Sequence, residues 1–68
     1  MKSDILLRKI RERHMTVSEV SEKLGIDSTT FYRKLQRPTN SFSVEQASSI
    51  AQMLKLTKAE VNQIFFDL

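Results

Sequence analysis

The residues best able to do chemistry lie in the stretch "STTFYRKL", positions 28–35. On a helix, Phe31 and Leu35 fall within about 40° of each other and define an inward side. Arg33 then lies opposite Phe31, with Thr29 and Gln36 beside it and Thr30, Tyr32 and Arg37 on the flanks. Ser28 sits nearer the core side, in the first turn, where its hydroxyl can still reach the protruding end. Short hydroxyls at a helix start let the backbone approach a groove floor closely, and a guanidinium is the commonest bidentate reader of guanine. A tyrosine can donate to phosphate or stack its ring on sugar and on a thymine methyl. On a helix lacking any further context, the same residues make an ordinary solvated face.

Other chemistries have little to work with. His14 is the only histidine and cysteine is absent, so disulfides and thiolate metal sites are excluded. Carboxylates are scattered, with neither metal-ligand spacing nor a glycine-rich phosphate loop. A chain of 68 residues buries a small core with little room for a deep pocket. The expectation is a single non-enzymatic domain over 1–68, with no cofactor, no metal and no small-molecule substrate. No apolar run approaches a membrane span, and charges interrupt "MKSDILLRKIRER" too often for a secretory segment. A soluble cytoplasmic protein without a membrane partner is therefore expected.

The net charge is +3, unevenly spread. Residues 1–37 carry nine Lys/Arg against five Asp/Glu, whereas residues 38–68 carry two against three. Positive charge is concentrated in the half that holds the polar helix face, which suits a polyanionic partner.

The elements that must position that face are legible from their starts. Thr16-Val17-Ser18-Glu19 is a capping box, with Met15 and Val20 at the staple positions. Ser43-Val44-Glu45-Gln46 repeats it with Phe42 and Ala47, and Thr57-Lys58-Ala59-Glu60 repeats it with Leu56 and Val61. Ser3 or Asp4 starts a first helix and Asp27 caps a third. Helices are predicted near 4–13, 17–24, 28–36, 44–54 and 58–66. Helical spacing assigns the core to Leu6, Leu7, Ile10, Val17, Val20, Leu24, Phe31 and Leu35. Val44, Ala47, Ile50, Ala51, Leu54, Val61, Ile64, Phe65 and Leu68 complete it.

Between helices two and three stands only "GID": Gly25 can take positive φ, Ile26 can plug the corner, and Asp27 begins the next helix. Such a turn between two short helices is the helix-turn-helix signature, here over 16–36.

From Thr16 to Leu35 the chain resembles the helix-turn-helix of the phage-repressor/Cro-like (XRE-type) family. Val17, Val20, Ser21, Leu24, Gly25, Ile26 and Phe31 stand where that motif has apolar, small or glycine residues. "LRKIRERHMT" resembles the family's first helix and "SVEQASSIAQMLKLTKAEVNQIFF" its fourth and fifth. "TTFYRKL" and "LKLTKAEVNQIFF" look like small phage and prophage regulators of Gram-positive bacteria. Three departures stand out: Leu35 lies four residues after Phe31, Pro38 follows helix three, and Val17 replaces a commonly polar residue.

The resemblance implies an all-α, compact five-helix lambda-repressor-like DNA-binding domain. It would act as a transcription regulator on a double-stranded operator, as a homodimer at least on DNA. Carried over by position, Ser28, Thr29, Tyr32 and Arg33 would contact bases. Thr16 and Ser18 would meet the backbone on one side, and Arg37, Thr39, Asn40, Ser41 and Ser43 on the other. The alternative is a helix-turn-helix module that docks proteins, such as an antirepressor. Phe65 and Phe66 are adjacent, so one helix face cannot easily bury both. Either the chain end wraps Phe66 onto its own core, or Phe66 and Leu68 make an apolar contact for a second copy.

Overall fold

The computed structural model describes residues 2–36 and 42–66. Its elements are α1 (Ser3–Glu12), α2 (Val17–Leu24), α3 (Ser28–Leu35), α4 (Val44–Leu54) and α5 (Lys58–Val61). The chain then passes from α5 into a single π-helical turn, Asn62–Phe66. This is the expected all-helical, five-helix architecture, with no strand among the described residues. No helix there is long and apolar enough to cross a membrane.

All three capping boxes form. Thr16, Ser43 and Thr57 accept from the amides of Glu19, Gln46 and Glu60, whose side chains reach back to the cap amides. Asp27 departs from expectation: its backbone is extended, but its side chain makes no capping hydrogen bond. Thr30 stands where a Glu or Gln would close a box, so the reciprocal partner is missing. The first helix likewise starts without a side-chain cap, after Lys2.

Three helices end alike. His14, Gly25 and Lys55 have φ of 57°, 74° and 53°. Each is followed by a residue whose amide bonds six-to-one back into the helix: Met15 to Ile10, Ile26 to Ser21, and Leu56 to Ala51. Met15, Ile26 and Leu56 all pack against the core, and each also precedes the next helix's first cap. One apolar residue thus closes one helix and staples the next, so connectors of three or four residues suffice. Only Gly25 takes this conformation without a Cβ penalty. Lys55→Gly is expected to stabilise the fold by about 0.5–1 kcal/mol, the left-handed strain outweighing glycine's entropy cost. Thermal unfolding followed by circular dichroism checks it; an unchanged or lower midpoint contradicts it.

The core comprises Leu6, Ile10, Val20, Phe31, Leu35, Phe42, Ala47, Ile50, Leu54, Ile64 and Phe65. Phe42 bridges its two ends, with ring centroids 5.3 Å from Phe31 and 6.0 Å from Phe65. Buried Ser21 donates its hydroxyl to the Val17 carbonyl at 2.7 Å, so it leaves no unsatisfied polar atom. Val44 corrects the sequence reading: it is 82% exposed. The buried stripe of α4 centres on Ala47, Ile50 and Leu54. Val44, first in the helix, lies roughly 85° off that stripe and overhangs the end.

The π turn corrects the continuous helix expected over 58–66 and explains its two phenylalanines. With more residues per revolution, neighbours are separated by a smaller angle than in an α-helix. Ile64 and Phe65 can then both be buried, which leaves Phe66 51% exposed. The Lys2 amide donates to the Ile64 carbonyl at 2.8 Å, strapping the chain start onto this turn.

A polar clasp ties α1 to α5. The Lys9 ammonium pairs with one Glu60 oxygen while the other accepts from the Thr57 amide at 2.9 Å. The Lys9 hydrogen bond, then that backbone amide, hold the Glu60 carboxyl down at about 2 against an ordinary 4.5. The depressed carboxyl contributes stability that is fully present above pH 4.5 and lost as pH falls toward 2. Glu60→Gln, which keeps an oxygen for the cap, is expected to flatten this acid limb in pH-dependent denaturation. An identical limb in the variant contradicts the assignment.

Candidate nucleic-acid interface

The polar face of α3 stands clear of the core. Phe31 is wholly buried and Leu35 nearly so, and they seat the helix. Thr29, Tyr32, Arg33 and Gln36 are exposed, and Ser28 and Thr30 are half-buried. Arg33 makes no ion pair among the described residues, so its guanidinium is available along the outer strip. Lys34 is turned back, its ammonium 5.8 Å from the centre of the Phe42 ring.

Tyr32 lies to one side of that strip. Although half its surface is open, it lines a shallow cleft with Leu7, Ile10, Arg11, Met15 and Val17. The ring therefore faces α1 and the start of α2, while Thr29 and Arg33 occupy the protruding side opposite Phe31.

The start of α2 is built by its capping box. The Thr16 hydroxyl accepts from the Glu19 amide and donates to the Glu19 carboxylate, both at 3.2 Å. It is engaged in both directions. The neighbouring Ser18 is exposed, and the amides of Val17 and Ser18 head the helix beyond the reach of in-helix acceptors. At the start of α4, Ser43 is exposed, and its hydroxyl accepts from the Gln46 amide at 3.0 Å. That bond leaves the Ser43 proton free to donate outward. Arg37, Thr39, Asn40 and Ser41 lie outside the described residues, as does Leu68.

Two short helices joined through left-handed Gly25, the second offering an uncovered polar strip, constitute the helix-turn-helix arrangement. The description of the Cro/C1-type HTH DNA-binding domain matches residues 6–67, almost the whole chain. The chain belongs to that family. No curated protein and no solved structure matches it. As a Cro/C1-type domain it is a DNA-binding transcription regulator, which suits an exposed strip of donors and a cation on α3.

Sequence reasoning gave the exposed strip of α3 but did not bring Arg11 beside Tyr32, with which it lines one cleft. Its signal was spatial: α1 crosses beside the start of α2, and helical periodicity within α1 does not reveal which charged residue faces that crossing.

Proposed function

We propose that this Cro/C1-type domain reads a specific double-stranded operator with α3 in the major groove, as a repressor of the phage or prophage kind acting in a bacterial cytoplasm. The carrying observation is the exposure of Thr29 and Arg33 on a helix whose opposite side, Phe31 and Leu35, is buried. Thr29 and Arg33, with Ser28 at the helix start, contact base edges, and Tyr32 reaches the same strand from the side. Ser18 and the leading amides of α2 meet phosphate on one flank, and Thr16, whose hydroxyl and amide are spent on Glu19, joins them only by exchanging its Glu19 bond for the phosphate. Ser43 grips the other flank, together with Arg37, Thr39, Asn40 and Ser41. The domain spans the chain as one unit, 1–68, and two copies pair to present two reading helices about 34 Å apart.

Half-exposed Phe66 favours a contact through the C-terminal turn, joined by Leu68. The same exposed ring supports the second reading, a protein-docking module such as an antirepressor. Selection of bound duplexes from a random pool separates the two. The expected result is an enriched site with two-fold symmetric halves, whose affinity falls steeply with salt. No enrichment together with no duplex affinity at low salt favours protein docking.

A further inference from the structure

The cations of α1 and its end have unequal employment. Lys9 binds Glu60 and lies 3.5 Å from Glu12, which also lies 4.0 Å from Arg8. Arg13 donates its Nε to the Leu54 carbonyl at 2.8 Å, closing the C-terminal end of α4. Arg11 is exposed, and its side chain takes neither hydrogen bond nor ion pair among the described residues. Arg11 lines the cleft between α1, the start of α2 and Tyr32 of α3. A cation without an internal anion, beside a phenol and next to the positive end of a helix, has the chemistry of a phosphodiester grip.

We propose that Arg11 is a DNA-backbone contact supplied by α1, acting with Tyr32 on a phosphate of the strand that passes the start of α2. The proposal rests on α3 reading the major groove: with Thr29 and Arg33 directed at base edges, this cleft lies on the α2 flank of the reading helix, facing that strand. It also moves the principal role of Tyr32 from base edge to backbone. The only carboxylate in the adjoining capping box, Glu19, is held by the Thr16 amide at 2.9 Å, so its charge is partly met inside the fold.

The test is a salt titration of duplex affinity for the full chain, comparing wild type with Arg11→Gln, Tyr32→Phe and, as a control, Arg8→Gln. Arg11→Gln is expected to weaken selected and unrelated duplexes by the same factor, roughly three- to tenfold at low salt. It is also expected to lower the slope of log affinity against log salt by about 0.9, the value for one phosphate contact. Tyr32→Phe should weaken both duplexes alike without altering the slope, and Arg8→Gln should leave both nearly unchanged. Circular dichroism confirms that each variant is folded. An Arg11→Gln slope equal to wild type, or a loss confined to the selected duplex, overturns the proposal while leaving the reading of α3 intact. Absence of wild-type duplex binding at any salt overturns both.

Discussion

Arg33→Ala is expected to cost roughly 1–3 kcal/mol of discrimination at a single base pair, about 5- to 150-fold in relative affinity. The side chain projects from the exposed side of α3, opposite fully buried Phe31, and no ion pair among the described residues holds it. Its removal therefore leaves the fold alone. What disappears is a fork of donors able to make two parallel bonds to a guanine edge, a geometry that lysine's single ammonium does not reproduce. Arg33→Lys should accordingly recover part of the overall affinity through charge but little of the discrimination. The measurement compares each variant on a selected duplex and on duplexes altered one pair at a time. If the alanine variant keeps the wild-type ranking at every pair, Arg33 does not read sequence. A uniform loss on all duplexes would reduce it to a phosphate contact of the kind proposed for Arg11.

The difference between those two arginines shows which parts of the structure the sequence could convey. Arg33 was legible because its orientation follows from helical rotation relative to Phe31 and Leu35, within a single element. The capping boxes at Thr16, Ser43 and Thr57 were legible for the same reason, since their hydrogen bonds close over three residues. Arg11 was not, because its lack of an internal partner depends on how Lys9 and Arg13 are spent against Glu60 and Leu54, distant in sequence. The left-handed residues His14 and Lys55 were hidden by their side chains, since only Gly25 announces positive φ by its identity. A subtler signal was present: Met15, Ile26 and Leu56 each separate a helix end from the next cap, an order that suits a six-to-one closure. The π turn was obscured because Ile64, Phe65 and Phe66 offer more apolar bulk than one α-helical face can bury. The structure resolves the conflict by changing the helical register and leaving Phe66 half outside.

Phe42→Ala is expected to remove about 3–5 kcal/mol of stability, the largest single effect of any substitution considered for this chain. From sequence Phe42 is a staple residue for α4, which alone would make it worth far less. In the fold it is 5% exposed and stands between the rings of Phe31 and Phe65, tilted by 57° to the first and 86° to the second. Truncation removes its own buried area, two aromatic contacts and the apolar support beneath α3, and it opens a void that the flanking rings cannot fill. A domain of 68 residues has a total stability of only about 3–10 kcal/mol. The alanine variant should therefore be largely unfolded at 37 °C, whereas Phe42→Leu, which keeps most of the volume, should lose about 1–1.5 kcal/mol. Urea denaturation of both variants supplies the comparison. Because Phe31 seats α3 on Phe42, DNA affinity should fall in proportion to the folded fraction and return with excess duplex, which binds the native state alone. An alanine variant that loses less than about 1 kcal/mol would mean that Phe42 does not join the two ends of the core. α3 would then have to be held by Leu35 and its contacts with α2, and the exposed strip would rest on a different foundation.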